Sequence, residues 1–138
     1  IDLNWDGSVS VTGSLNLNGA MVADHVIAQG FSGNWGYIKF NSCHAICWMS
    51  RYLMGVPVTT PYGTLYQSQQ TIGGITYPFH FVQTPVEVPY PGFGSNGYPT
   101  IVQTVRNDSD KMGTYKIVCP IAQTIDCVLH VIVIGRWK

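Results

Sequence analysis

From Cys43 to Ser50 two kinds of side chain alternate without a break. Cys43, Ala45, Cys47 and Met49 are small or soft; His44, Ile46, Trp48 and Ser50 stand between them. Residues two apart share one face of a strand. The first set therefore reads as a packed core face, and the second as a face carrying an indole and an imidazole. Tyr37, Ile38 and Phe40 suit a pleated, half-buried surface. Asn41-Ser42 are turn formers, because their short polar side chains bond to nearby backbone. Residues 35–52 thus predict two strands joined by a tight turn, with a stalk-like segment before them and a globular head after.

The pattern downstream is of short β-prone runs broken by turn residues. Arg51–Val58 extends the second strand until Pro57 removes a donor. Thr59–Gly63 reads as a turn-rich loop and Thr64–Gln67 as a short strand. Gly73-Gly74 reads as a connection between short strands. Residues 89–99 form the longest irregular stretch, with Gly and Pro among aromatics; long loops of this kind are functional or disordered, and the aromatics argue against disorder. Thr100–Arg106 and Thr114–Cys119 are strands, and Ile125–Ile134 is the last and most apolar one. No helix is evident. The expected fold is all-β, a sandwich or jelly-roll-like head over residues 31–138.

Residues 1–30 differ. Gly7, Gly13 and Gly19 recur every six residues, with Val9, Val11, Leu15 and Leu17 on one side. Each unit is too narrow to bury its own apolar row. Either two identical chains wind around a common axis with it, which gives a short intertwined β stalk in a homotrimer, or the segment is a meander packed on the head. Phe31-Ser32-Gly33-Asn34 is the expected hinge between the two parts. Ile1 is not a natural start, so the sequence reads as a fragment.

Composition narrows the function. Charged residues are 10% of the 138, against about 25% in ordinary domains. So few charges leave apolar surface exposed on a monomer, and an oligomer interface would cover it. The net charge is zero and no basic run occurs, which argues against nucleic acid as a partner. No apolar run approaches the roughly 18 residues of a spanning helix, so membrane insertion is not expected. Cys43 and Cys47 lie four apart on one strand face, about 13 Å at the usual rise, too far to bridge or to share one zinc. The four cysteines read as reduced and buried. No two histidines sit at metal-ligand spacing, so neither metal nor cofactor is expected; His25 is the one whose copies would meet on a trimer axis.

Two stretches carry a family resemblance. The Val9–Gly19 run resembles the stalk repeats of phage tail fibres. The run Gly33 to Trp48 and the ending Val133-Ile134-Gly135-Arg136-Trp137-Lys138 resemble the C-terminal heads of tail-fibre or minor structural proteins, from phages and prophages of Gram-positive bacteria. In such heads a Trp-x-Tyr strand leads through a Ser-Gly turn into a Cys-Trp strand. Here Trp35-Gly36-Tyr37 and Cys47-Trp48 fit, while Cys43 stands where a glycine is common. The resemblance implies a homotrimeric, non-catalytic receptor-binding tip that recognises a host cell-surface saccharide. It also implies a place at the virion tail tip after assembly in the host cytoplasm.

The residues offer parts for such a site. Tyr and Trp supply rigid area with a polar tip, and loops are where binding residues concentrate. The expected ligand-binding set is Tyr62, Tyr66, Tyr90, Phe93, Asn96, Tyr98, Arg106 and Asp108, on the connections 59–66 and 89–99 and the strand and turn that follow. Two other readings compete. One is a structural trimerisation knob without ligand. The other is a glycan-cleaving enzyme, which needs two carboxylates about 5–10 Å apart. Glu87 is the sole glutamate, and Asp108 and Asp110 fit turn chemistry better than an acid–base pair, so no catalytic residue is expected.

Overall fold

The computed structural model describes residues 24–94 and 97–138 and, in the first 23, four two-residue strands. These are β1 (Asp2–Leu3), β2 (Val9–Ser10), β3 (Asn16–Leu17) and β4 (Ala20–Met21), paired antiparallel as β1–β2 and β3–β4. The remainder of the expected stalk repeat lies outside the described residues.

Nine strands form one antiparallel sheet. They are β5 (Val26–Ser32), β6 (Trp35–Phe40), β7 (His44–Tyr62), β8 (Leu65–Ser68), β9 (Ile72–Gly73), β10 (Val86–Phe93), β11 (Thr100–Val105), β12 (Thr114–Cys119) and β13 (Gln123–Arg136). No helix occurs among the described residues. The main path runs β10-β13-β7-β8-β12-β11, with β5 and β6 joined to the first half of β7 and β9 to β12. β7, 19 residues long, serves two arms. Its start pairs with β6 and β13, and its end with β8. One core cluster draws on both arms: Cys47 and Met49 from β7, Leu129, Val131 and Val133 from β13, and Tyr115, Ile117 and Cys119 from β12. The two arms thus fold over a common interior, as in a sandwich.

The expected hairpin is present. β6 and β7 pair through Gly36↔Trp48, Tyr37↔Cys47 and Ile38↔Ile46 around a turn at Asn41-Ser42. Ala45, Cys47 and Met49 are buried, as the alternation predicts. Cys43 closes the turn at φ 73°, a left-handed conformation that glycine adopts without strain. The Asp24 carboxylate accepts from Ser42 N and Oγ, and Asn41 Oδ1 accepts from His25 N, so the chain entering the domain is tied to this turn. The chain end is tied to it too: Trp137 N donates to Cys43 O, and its Nε1 to Phe40 O.

Three expectations need correction. Gly33-Asn34 is the turn of the β5–β6 hairpin and not a hinge, so the sheet already begins at Val26. Pro57 does not end its strand. At Pro57 β7 pairs with β13 alone, since β8 joins only at Val58, and a strand with one open side tolerates a missing donor. Residues 89–93 are not loop but the second half of β10. That strand is a sheet edge, and Pro89 and Pro91, two apart, face their donor-less nitrogens the same way, toward the open edge.

Cys47, Cys119 and Cys127 are buried and Cys43 is half-buried, all as free thiols. Burial first, and then the nearby Glu87 carboxylate, pushes the Cys47 thiol up to about 12. The folded protein at pH 8 is therefore expected to take up thiol reagent fast at Cys43 alone, with the other three labelled only after unfolding; mass spectrometry of iodoacetamide-treated protein reads the count. Cys43→Gly should abolish the fast label and raise stability by about 1 kcal/mol, because it relieves the left-handed residue.

Candidate functional site

The outward residues of the first arm line up in rows across five strands. One row reads Gln29 (β5), Ile38 (β6), Ile46 (β7), Ile134 (β13), Val86 (β10). The next reads Phe31, Gly36, Trp48, Ile132, Val88, and a third, over three strands, Ser50, His130, Tyr90. A fourth is Tyr52, Val128, Gly92. None of these residues is Asp, Glu, Lys or Arg. Phe31 is 83% exposed, Tyr52 71%, Tyr90 70% and Val86 65%. The Trp48 indole fills the space above Gly36, where a Cβ would lie 2.4 Å from the ring. That glycine lets the ring lie down on the neighbouring strand. At the β5 margin Gln29, Gly30, Phe31, Tyr37, Ile38 and Trp48 border an open cleft of roughly 380 Å³. In the third row His130 Nδ1 and Ser50 Oγ are 2.7 Å apart, and Tyr90 stacks on the imidazole.

The inner side carries a different cluster. Glu87 of β10 points across the interior toward β12. Its carboxylate accepts from Tyr77 Oη at 2.6 Å, from Tyr115 Oη, and from Gly113 N at 3.1 Å. Asn107 Nδ2 donates in turn to Tyr77 Oη and Pro85 O. The sole glutamate thus ties the two arms together. Its oxygens accept from three donors, with Gly113 N shared between both oxygens, an arrangement that holds structure.

The eight residues expected to bind ligand are spread out. Tyr62 is 58% exposed at the end of β7, and Tyr98 is 88% exposed with φ 52°. Tyr66 and Phe93 are half-buried against the core. Tyr90 lies on the apolar face, and Asn96 falls outside the described residues. Arg106 is exposed. Asp108 is exposed as well, but its carboxylate accepts from Asp110 N and Lys111 N, which holds it below its ordinary pKa. Tyr62, Tyr66 and Tyr98 share one end: Tyr66 pairs with Cys119, whose Sγ donates to Gly97 O. Arg106 and Asp108 follow the far end of β11, about 20 Å away at the usual strand rise. The connection 59–66 is itself a hairpin, strand to Tyr62 and again from Leu65, so its tyrosines sit on paired backbone and not on a free loop.

The apolar face is what sequence reasoning missed. Its signal was in the alternation. In β13 both sets are apolar, Val131 and Val133 inward, Ile132 and Ile134 outward, and β10 adds Val86 and Val88 outward. In the single chain this outer apolar set stays exposed.

No known protein family matches the sequence, and no curated protein does. The fold does have a counterpart among solved structures: the P. aeruginosa R1 pyocin fibre, in a fragment comprising its C-terminal residues 323–701, with a TM-score of 0.53 and 15% sequence identity. This chain has a fibre-type β fold. The match covers 91% of the chain and 35% of the fibre fragment, so it extends over nearly all of this chain but about a third of that one.

Proposed function

We propose that the chain is the tip end of a phage-type tail fibre, a homotrimer that recognises a cell-surface saccharide without cleaving it. The reading rests above all on the fold, which follows that of a pyocin fibre over 91% of the chain. The fibre-like sequence runs at 9–19, 33–48 and 133–138 support the same reading. These runs point to Gram-positive hosts and the similar fold comes from P. aeruginosa, so the proposal is made for the fibre and not for a host. The saccharide is placed at the end bearing Tyr62 and Tyr98. Both rings are exposed, and Tyr98 is held left-handed, a strain that clusters where residues serve binding. Stacking and hydroxyl contacts of this kind contribute about 1 kcal/mol each, so a single site is weak and three copies on one tip gain by avidity. The sole glutamate, Glu87, is engaged by Tyr77, Tyr115 and Gly113, which supports binding without cleavage. A knob without ligand is the competing reading, favoured by the dispersal of Arg106 and Asp108 from the tyrosines.

The test is binding of the fluorescently labelled protein to bacterial cells and to an array of bacterial surface glycans. Tyr98→Ala and Tyr62→Ala should each lower cell binding about fivefold or more, with an unchanged melting temperature, since neither ring is buried. Normal binding by both variants would remove this end from the site. No binding by the wild type to any cell or glycan would favour the knob.

A further inference from the structure

We infer that the outer face of β5, β6, β7, β13 and β10 is the surface on which copies of this chain pack against one another. The inference deepens the homotrimer of the proposed function but does not depend on a ligand. Scaled by their exposures, with about 150–250 Å² for each buried aromatic, the four rows offer on the order of 1,000 Å² of apolar surface. Monomers rarely show a patch above about 300–600 Å², and a stable interface takes about 800 Å² from each partner.

The occupant is a second copy for three reasons. None of the four rows holds a charged residue, Arg136 and His44 forming the next row along the same face, so copies of these rows can converge on one axis without burying a charge. Trp48 lies down over Gly36 and does not stand up from the face, so strands of a neighbouring copy can approach to about 10 Å. Pro89 and Pro91 block edge-to-edge growth at β10, one margin of this face. Covering the face also gives the third row its place. Ser50 Oγ and His130 Nδ1 bond to each other across β7 and β13, which lets these two atoms enter an interface. Tyr90 then belongs to the interface and not to the saccharide site.

The experiment is multi-angle light scattering of the full chain over a dilution series. The wild type should have a trimer mass at micromolar concentration. Ile132→Asp puts a charge at the centre of the second row and should yield a monomer with an unchanged β-type circular dichroism spectrum. If that variant fails to fold, Phe31→Ser decides. That ring is already 83% exposed in the single chain, so it cannot matter to the monomer, and its loss should raise the dissociation concentration about tenfold. Val102→Asp on β11, away from the face, should remain a trimer. A wild-type monomer, or assembly unaltered by both Ile132→Asp and Phe31→Ser, would overturn the inference. A monomer would mean instead that the face stays open or that a different protein covers it. Unaltered assembly in these variants would leave the fibre-tip reading standing with another interface. Assembly that behaves as expected, without cell binding, would sink only the saccharide reading.

Discussion

Glu87→Ala should lower the melting temperature by roughly 10–15 °C, from a loss of about 4 kcal/mol in a chain of this size. The substitution removes the acceptor for three donors at once, and Tyr115 Oη and Gly113 N have little water to turn to. It also cuts the tie between β10 and β12, which belong to opposite arms of the sheet. Glu87→Gln keeps the shape and one oxygen, and a tyrosine hydroxyl can rotate to accept from the new amide, so about half the loss should be recovered. The same cluster sets a pH dependence. Burial first, and the hydrogen bond to Glu87 second, push Tyr77 and Tyr115 well above their ordinary value of 10.0. The folded protein then keeps two protons that the unfolded chain releases above pH 10. Stability is therefore full below pH 10 and falls as pH rises beyond it, by about 1.4 kcal/mol per unit for each such proton. Tyr77→Phe should reduce that slope by one proton. Urea melts between pH 10 and 12 at fixed protein concentration measure it. A Glu87→Ala protein melting within two or three degrees of the wild type would show that the cluster is incidental.

The first hairpin was legible because one face of β7 is purely local information: Ala45, Cys47 and Met49 are small, and the turn residues Asn41-Ser42 follow their own chemistry. The sequence runs resembling fibre heads, 33–48 and 133–138, are far apart in the chain but adjacent in the fold. Arg136 pairs with His44, and Trp137 bonds the 40–43 turn. Each run is recognisable because each half of that junction constrains the other. The irregular reading of 89–93 failed for the opposite reason. Prolines break most strands but are compatible with an edge strand, and whether a strand is an edge depends on where β13 lies, which no local window contains.

The candidate site was legible only in part. That Tyr62 and Tyr98 are exposed agrees with aromatic-rich connections, but their placement at one end depends on β8–β12 pairing and on the Cys119–Gly97 contact. Arg106 and Asp108 looked like neighbours of Tyr98 because they follow it in the chain, and β11 carries them to the other end. The apolar face was hidden differently. Each of its strands looks like an ordinary core strand, and only the rows from Phe31 to Val88 show that two sides need covering. Low charge in the composition was the one global hint.

Gly73→Ala should be the most damaging single methyl in the domain. A Gly-Gly connection between short strands treats the two glycines alike, and on that reading either accepts alanine at the small cost of a turn residue. The structure assigns them different work. Gly73 is the last residue of β9 and pairs with Thr114, at φ 104°, a region that only glycine enters freely. A Cβ there would meet Gly113 O at 2.3 Å, and that oxygen cannot retreat, because Gly74 N donates to it and Gly113 N is bound to Glu87. The clash is thus against backbone fixed from two sides, so strain adds to conformational cost, about 4 kcal/mol or more together. Gly74 is also left-handed, at φ 66°, but its Cβ would meet only the Thr114 Cγ2 methyl at 3.2 Å, and Gly74→Ala should cost about 1 kcal/mol. Thermal melts of the two variants side by side separate the readings. A fall of roughly 15 °C for Gly73→Ala against a few degrees for Gly74→Ala means that the pair exists for the close approach of β9 to the Gly113 backbone. Equal, small shifts would mean that it is only a flexible link.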